Sequence, residues 1–239
     1  MPGVNRGIKM DFNGKTVLVT GGAVRVGAAL VRGFAAAGAR VLIHARHSVA
    51  EAEALAKELP AGQARVVTLN LADAAVVDGF FAGLGEKVDI LINNASLYSR
   101  DPAASEGMFQ VNCHAPVSLI RQFAAQCNDG AAVNILDQEI AAEIPQRGAY
   151  SGSKRALADA TRTLALELAP RIRVSGIAPG PVLPPTWLPA GRMEKTIPTL
   201  PLRRPVALDD LVEATLMLAA NRSITGAILF VDCGQSLTR

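Results

Sequence analysis

An Asp, a Tyr and a Lys stand at a spacing suited to acid–base chemistry. Tyr150 follows Asp137 by thirteen residues and Lys154 follows Tyr150 by four, within the run DQEIAAEIPQRGAYSGSK. Residues four apart share a helical face, so the Lys154 ammonium would lie beside the Tyr150 phenol. A nearby cation favours the phenolate and lowers a pKa that is ordinarily about 10. The spacing therefore predicts Tyr150 as a proton donor near neutral pH, with a lowered pKa.

Asp137 is the member of this group that bears on the substrate. An ionised carboxylate has no proton to donate and repels a developing oxyanion, so it does not suit the reduction of a ketone. Reduction of a C=N bond differs, because hydride goes to carbon while nitrogen needs a proton that a carboxylate bonded to Tyr150 could orient. In the alternative interpretation, Asp137 only caps the next segment and Gln138 faces the ligand.

Glycines after the first apolar run form a candidate phosphate-binding turn. The stretch TGGAVRVG, from Thr20 to Gly27, opens an Ala-rich helical segment. Backbone amides of such a turn, at the positive end of a helix, can approach a pyrophosphate. Arg25 occupies a position where glycine is usual, and its guanidinium can grip phosphate or the polar edge of a substrate. The alternatives are an ordinary tight turn and a surface Arg without a role.

The segment after the second apolar run distinguishes between the two nicotinamide cofactors. Sites for NAD usually place an acidic residue there to bind the ribose 2′-hydroxyl. This chain has His44, Arg46, His47 and Ser48 instead, with no carboxylate before Glu51. Cationic and hydroxyl donors suit a 2′-phosphate, which a carboxylate would repel. The sequence therefore predicts NADPH, with a solvated basic loop as the alternative.

The elements that must position these residues alternate between strand and helix. Short apolar runs rich in β-branched residues precede turns and helical stretches, a rhythm typical of βαβ units and a parallel sheet. We predict an α/β fold, a doubly wound parallel sheet of about seven strands flanked by helices in a single domain. The strand candidates are residues 15–20, 39–44, 64–69, 88–93, 131–136, 171–178 and 225–232.

Composition excludes several functional classes. The chain has 239 residues, half of them hydrophobic, which is enough for one large core. Its net charge of +3 is scattered, so no nucleic-acid partner is expected, and no apolar run is long enough for a membrane span. Cys113, Cys127 and Cys233 are too distant for a local metal motif and odd in number, which favours a reducing, cytoplasmic compartment.

We predict three segments along the chain. Residues 1–13 form a flexible N-terminal extension, in which Met1 or Met10 is the natural start, and residues 14–239 form the domain. A substrate loop spans about 180–205, where a Pro-rich stretch excludes a long helix. This loop follows the carboxyl end of a strand, where open α/β sheets bind ligands, so we expect it to cover the substrate.

Together these motifs resemble the short-chain dehydrogenase/reductase family over essentially the whole chain. The resemblance implies a Rossmann-type fold with Tyr150 as proton donor. Lys154 would hold the nicotinamide ribose and lower the Tyr pKa, while Asn112 would help to order a proton-relay water. The matching features are the TG-x-x-x-x-x-G turn, Asn93-Asn94-Ala95, Asn112, Tyr150-x-x-x-Lys154, Pro179-Gly180 and Asp232.

Within that family the chain looks most like the pteridine reductases. Arg25, the run NNAS, Asp137 and the terminal SLTR carry this likeness, and Tyr98 matches the aromatic position that stacks on a pterin. The resemblance implies reduction of dihydropterins, with dihydrofolate as a further substrate, by a homotetramer. Two alternatives stay open: a carbonyl or 3-oxoacyl-type reductase that carries an Asp, and an NADPH-binding sensor without activity. Departures from the pattern are Asn70, Leu97, Tyr98 in place of Phe, and Cys233.

The resemblance also assigns binding residues, and it assigns no metal. The implied cofactor site consists of Gly21, Arg25, Val26, Gly27, His44, Arg46, His47, Ser48, Asn70, Leu71, Asn94, Ala95, Ser96, Tyr150, Lys154, Pro179 and Gly180. The implied substrate site consists of Arg25, Ser96, Tyr98, Asp137, Tyr150, Leu183 and Trp187.

Overall fold

The protein folds around one seven-stranded parallel sheet. The computed structural model describes residues 10–142, 147–184 and 191–238. The strand order is β3-β2-β1-β4-β5-β6-β7, and every neighbouring pair is parallel, which confirms the predicted doubly wound sheet. The strands are β1 (Thr16–Val19), β2 (Arg40–Ala45), β3 (Ala64–Thr68), β4 (Ile90–Asn93), β5 (Gly130–Ile135), β6 (Ile172–Pro179) and β7 (Ile228–Val231).

Helices cover both faces of the sheet. The α-helices are α1 (Arg25–Ala36), α2 (Val49–Glu58), α3 (Ala74–Asp78), α4 (Phe80–Gly83), α5 (Ser105–Phe109), α6 (Ala115–Gln126), α7 (Ala149–Glu167), α8 (Arg192–Thr196) and α9 (Leu208–Ala220). A π-helical turn, Gln110–His114, joins α5 to α6. Short 3-10 turns lie at Pro102–Ala104, Gln138–Ala141, Ile197–Thr199 and Gln235–Thr238.

The apolar runs become strands because both of their faces are buried. Successive side chains of β1 point to opposite faces, so Val17 and Val19 pack into the core beneath α1 and α9. Leu18, between them, packs into the second core, against α6. Such two-sided burial explains why the sequence shows continuous apolar runs instead of alternation.

The packed domain begins earlier than predicted. Residues 1–9 of the expected extension lie outside the described residues. Phe12, however, is 3% exposed, and its ring centroid lies 5.1 Å from that of Phe34 on α1. An edge-to-face aromatic pair of this kind is favourable beyond its buried area. The boundary at residue 14 is therefore too late, because Phe12 belongs to the core.

The sheet topology creates a crevice at the carboxyl ends of the strands. The chain runs outward from β1 through β2 to β3 and then returns to place β4 on the other side of β1. Open α/β sheets bind ligands at the point where the strand order reverses. The loops after β1 and β4 therefore meet at the expected binding edge.

The Pro-rich stretch after β6 contains only short helices among the residues described between 180 and 205. These are the five-residue α8 and the 3-10 turn that follows it. The prediction that prolines prevent a long helix agrees with this part of the chain. None of the described helices combines the length and hydrophobicity needed to cross a membrane.

Candidate active site

The glycine turn after β1 requires glycine at two positions. Gly21 has φ +60°, and a Cβ there would lie 3.0 Å from Ala95 Cα in the loop after β4. A Cβ on Gly27 would overlap the Gly21 carbonyl oxygen, a contact that real structures do not tolerate. The turn therefore packs too tightly for side chains, which leaves its backbone open to a ligand from the crevice.

The start of α1 is suited to an anion. Val24, which precedes the helix, provides no side-chain cap for its first amides. Arg25 has φ +55°, a conformation that favours glycine, in agreement with its position among glycines in the sequence. Its Nη2 donates to the Pro184 carbonyl oxygen at 2.8 Å, so Arg25 links the turn to the Pro-rich stretch. Val26, the next residue, is half-buried against the core.

Asn94 and Ala95 fasten the β4 loop to this turn. The Asn94 side-chain nitrogen donates to the Thr20 and Gly21 carbonyl oxygens, both at 3.0 Å. The backbone amides of Asn94 and Ala95 both donate to the Thr20 hydroxyl. Asn94 thus shapes the cofactor crevice by bridging the two strands that border it.

His44 does not belong to the exposed basic loop that the sequence predicts. It is 3% exposed, its Nδ1 accepts from the Gly21 amide at 3.0 Å, and its Nε2 lies 2.9 Å from the Leu69 carbonyl oxygen. Burial lowers the His44 pKa, although the bond to Leu69 opposes this. His44 is therefore a neutral brace for the glycine turn, because both ring nitrogens are engaged away from a phosphate. Arg46 and His47 are exposed just beyond it.

Ser48, Asn70 and Leu71 border the same edge. Ser48 is half-buried and precedes α2 without a side-chain cap. The Asn70 side chain accepts from the Ala72 amide at 3.1 Å, so it stabilises the turn after β3. Leu71 is 5% exposed and supports the crevice from within the core.

Asp137 and Tyr150 are joined by a hydrogen bond. Asp137 follows β5, and Tyr150 lies in the first turn of α7 at 8% exposure. The Tyr150 hydroxyl donates to Asp137 Oδ2 at 3.0 Å, while Oδ1 accepts from the Glu139 amide at 2.9 Å. The carboxylate therefore caps the following turn and orients the phenol at the same time. Gln138, the alternative residue, is 3% exposed.

Lys154 lies one helical turn after Tyr150, as its spacing predicts. It is 2% exposed, and its Nζ donates to the Ile135 carbonyl oxygen at 2.8 Å. Burial lowers the Lys154 pKa to about 8, although the Asp137 charge opposes this. An ammonium with that pKa can exchange a proton near neutral pH.

The predicted lowering of the Tyr150 pKa is wrong for this structure. Burial raises the Tyr150 pKa well above its ordinary value of 10, and the Asp137 carboxylate raises it further by its charge and its hydrogen bond. The charge that opposes this rise belongs to Arg147. Spacing along the chain could not reveal this balance, because it depends on desolvation and on which charges meet in space.

The Asn112 side chain is fully engaged in hydrogen bonds within the protein. Its Oδ1 accepts from the Leu97 amide at 2.7 Å and from the Ser96 hydroxyl at 3.2 Å. Its Nδ2 donates to the Leu97 carbonyl oxygen at 2.8 Å and to the Ser153 hydroxyl at 3.0 Å. A side-chain amide has two donors and two acceptor positions, so no capacity remains for a relay water. Asn112 instead braces the β4 loop against α7.

Tyr98 lies against the Tyr150 phenol. Its ring centroid is 5.3 Å from that of Tyr150, in an edge-to-face arrangement. A cavity of about 340 Å³ opens beside it, and Arg100, Met108 and Arg147 are among its walls. Small-molecule pockets have this size or more, and Tyr98 supplies an aromatic wall to this cavity.

Sequence reasoning missed Arg147 and Glu139. Arg147 Nε lies 2.6 Å from Glu139 Oε1, and Arg147 Nη1 lies 3.8 Å from Asp137 Oδ2. The guanidinium carbon lies 5.3 Å from the centre of the Tyr150 ring. The available signal was the presence of charged residues between Asp137 and Tyr150 in an otherwise apolar segment. Nothing in their spacing indicated that they turn inward.

The Pro179–Gly180 step borders the crevice from β6. A Cβ on Gly180 would lie 2.7 Å from Asp232 Cα, so the chain after β7 packs directly against it. The Asp232 carboxylate accepts from the Gly234 and Ser236 amides, which fixes that segment. Leu183 is half-buried just beyond, whereas Trp187 lies outside the described residues.

These features fit a dinucleotide. The glycine turn allows close approach to backbone amides, and α1 begins without a side-chain cap. Beyond β2, the exposed Arg46 provides positive charge and the exposed His47 a further polar group. Among the residues that the structure describes, no cluster of His, Cys, Asp and Glu could hold a metal ion.

Comparison with known proteins identifies the family. A model of the short chain dehydrogenases matches residues 15–195, which is most of the chain. The chain belongs to the short-chain dehydrogenase family. Among curated members, L-xylulose reductase of Bos taurus is 30% identical, covering 92% of this chain and 96% of that protein. Pteridine reductase 1 of Leishmania tarentolae is 29% identical, covering 93% and 96%.

Solved structures of this family match the whole fold. FolM alternative dihydrofolate reductase 1 from Brucella canis, in complex with NADP, is 38% identical with a TM-score of 0.88, and 96% of each chain is covered. Its counterpart from Brucella suis, also with NADP, is 39% identical with a TM-score of 0.84, covering 93% of this chain and 95% of that one. The predicted family, oxidoreductase class and nicotinamide cofactor are thereby confirmed.

Proposed function

We propose that this protein is an NADPH-dependent pteridine reductase that converts dihydropterins to tetrahydropterins and also accepts dihydrofolate. The observation that carries the proposal is the 3.0 Å hydrogen bond from the Tyr150 hydroxyl to Asp137 Oδ2. Relatives named pteridine reductase and alternative dihydrofolate reductase support the same substrate class.

The chain's own residues would divide the binding of cofactor and substrate. The glycine turn and the start of α1 would hold the pyrophosphate, while Arg46, His47 and Ser48 would meet the 2′-phosphate. Lys154 would hold the nicotinamide ribose. Ser96, Tyr98, Arg25 and Leu183 would surround the substrate. When bound, the cofactor supplies a hydride to the reacting carbon.

Tyr150 would deliver the accompanying proton. Its raised pKa keeps the proton on the phenol until a strong base forms beside it. A ring nitrogen becomes such a base as hydride reaches the neighbouring carbon of the C=N bond. Asp137 accepts from the phenol and so orients it, whereas it has no proton to offer the oxyanion formed from a ketone. The Tyr–Asp pair therefore favours nitrogen over oxygen as the protonated atom.

A substrate panel tests this proposal. Purified protein should oxidise NADPH with dihydrobiopterin, dihydromonapterin or dihydrofolate, and NADH should serve less well. Asp137→Ser should lower kcat/KM for pterins about 100-fold, within the range typical of a lost acid–base group. Asp159→Ala is the matched control, because Asp159 is exposed on α7 and pairs only with Arg162 among the described residues. Turnover of ketones with no turnover of any pterin would refute the proposal.

Carbonyl reduction is the second candidate. The 30% identity to L-xylulose reductase favours it, at the same level as the identity to pteridine reductase. In that case Asp137→Ser should preserve or raise activity on L-xylulose, because a hydroxyl can donate to the developing oxyanion. The same panel therefore separates the two candidates by the sign of one substitution. Tight NADPH binding without any turnover would instead favour a sensor.

We further propose that the protein acts as a cytoplasmic homotetramer. Leu166 on α7 is 84% exposed and Phe230 on β7 is 38% exposed, which leaves apolar side chains on two separate elements. Such residues suit contacts between subunits. Light scattering coupled to size-exclusion chromatography would give the mass, and a monomeric mass would refute the tetramer.

A further inference from the structure

Glu139 is a buried carboxylate beside the candidate active site. Its side chain is 3% exposed, and it lies two residues after Asp137 in the turn Gln138–Ala141. Ser151 Oγ donates to Glu139 Oε2, and Arg147 Nε lies 2.6 Å from Oε1. A charge removed from water in this way requires a partner of opposite sign. Glu139 therefore holds the Arg147 side chain in place through this ion pair.

Arg147 also lies beside Asp137 and Tyr150. Its Nη1 lies 3.8 Å from Asp137 Oδ2, the same oxygen that accepts from the Tyr150 hydroxyl. Its guanidinium carbon lies 5.3 Å from the Tyr150 ring centre and 6.0 Å from the Tyr98 ring centre, within the usual limit for cation–π contact. The backbone amide of Arg147 also donates to Ser151 Oγ at 3.0 Å.

The charges around this site nearly balance. Asp137 and Glu139 supply two carboxylates from the segment after β5, while Lys154 approaches from α7. Arg147 precedes α7, and Tyr98 and Ser96 face this site from the loop after β4. Burial would lower the Arg147 pKa, but the carboxylates of Asp137 and Glu139 outweigh it and raise the pKa. Without Arg147, two like charges would share a desolvated site with Lys154 as their remaining cation.

We propose that Arg147, anchored by Glu139, is the positioning residue that holds Asp137 and Tyr150 together as a carboxylate–phenol pair and thereby favours nitrogen protonation. This inference rests on the proposed function. A planar guanidinium suits the task because it can face two carboxylates and lie against aromatic rings at once. A lysine ammonium is a compact point charge that lacks this planar fork.

Steady-state kinetics provide the first test. With NADPH and dihydrobiopterin, Arg147→Met should lower kcat at least about tenfold and change KM less than about threefold, since misplacement of a catalytic group mainly slows the chemical step. Arg147→Lys should not restore kcat, because it returns the positive charge without the planar fork.

Thermal unfolding supplies a readout that needs no substrate. Arg147→Met should lower the free energy of unfolding, because the buried Glu139 carboxylate loses its cation. Glu139→Gln combined with Arg147→Met should be more stable than Arg147→Met alone, since the pair loses both charges. Arg162→Met, an exposed residue of α7, is the matched control and should show neither effect.

The outcomes separate the two proposals. If the wild type reduces pterins and Arg147→Met matches it in kcat, the inference about Arg147 is overturned while the proposed function stands. If the wild type reduces no pterin, the proposed function fails, and the unfolding data alone decide whether Arg147 compensates the carboxylates. A double variant no more stable than Arg147→Met alone would overturn the charge-compensating role.

Discussion

Replacing Lys154 with Met should reverse the sign of its effect on stability between neutral and alkaline pH. Lys154 is 2% exposed, and burial lowers its pKa from the ordinary 10.5 to about 8. Below pH 8 both the folded and the unfolded chain carry the proton, so the folded state bears the full cost of a buried ammonium. Between pH 8 and 10.5 the unfolded chain binds more protons, so the free energy of unfolding rises with pH.

The magnitude follows from that difference in pKa. A drop from 10.5 to about 8 corresponds to about 3 kcal/mol. Met has a similar length and no charge, so it removes this cost, but it also leaves the Ile135 carbonyl oxygen without the donor now 2.8 Å away. An unsatisfied buried acceptor costs about 1–2 kcal/mol. The variant should therefore be about 1–2 kcal/mol more stable than the wild type at pH 7 and about as much less stable near pH 10.5.

Urea unfolding at a series of pH values measures this difference. The comparison is made between wild type and Lys154→Met, and Lys57→Met serves as the control because Lys57 is exposed on α2. NADPH turnover in Lys154→Met should be lost at every pH, since the residue is catalytic in the proposed reaction. A stability difference that keeps one sign from pH 7 to 10.5 would refute the assignment of a buried, weakly basic ammonium.

Three further substitutions test the geometry of the cofactor crevice. Gly27→Ala should prevent stable folding or NADPH binding, because its Cβ would meet the Gly21 carbonyl oxygen. Gly79→Ala is the control and should be neutral, because nothing lies within 4 Å of its added Cβ. Circular dichroism measures folding and fluorescence titration measures NADPH binding. Arg25→Gly should raise the free energy of unfolding by up to about 1 kcal/mol by relieving φ +55°, while raising the NADPH KM about tenfold in initial-rate assays. The free energy of unfolding of the wild type should fall as pH drops below 6.5, because His44 in the unfolded chain takes up a proton that the buried ring resists. His44→Phe should be less stable at pH 7, and its free energy of unfolding should depend less on pH. An equal pH dependence in calorimetry would contradict the buried neutral ring.

The sequence by itself determined the sheet and the backbone of the crevice. Apolar runs such as VLV in β1 can only be buried on both faces, and their alternation with helices dictates a parallel sheet. The four-residue spacing of Tyr150 and Lys154 places them on one face of any helix, so their proximity is a local property. The glycine at position 27 likewise marks a turn too tight for a side chain.

Tertiary structure decided how these groups are charged and which neighbours they have. His44 belongs to a basic run in the sequence, yet its ring turns inward to the Gly21 amide and is held neutral. By resemblance to the family, Asn112 is predicted to help order a water, yet its side-chain hydrogen bonds are all made to the β4 loop and α7. Which way a side chain points depends on residues distant in the chain, and no local pattern records this.

Tyr150, the predicted proton donor, shows most clearly what the sequence predicts and what tertiary structure decides. The sequence predicts that Asp137, Tyr150 and Lys154 act together, but it predicts the wrong direction for the Tyr150 pKa. Desolvation and the facing carboxylate raise that pKa, and the opposing charge comes from Arg147. Spacing specifies which residues can meet on a helix, whereas burial and the sum of nearby charges specify how tightly each holds its proton.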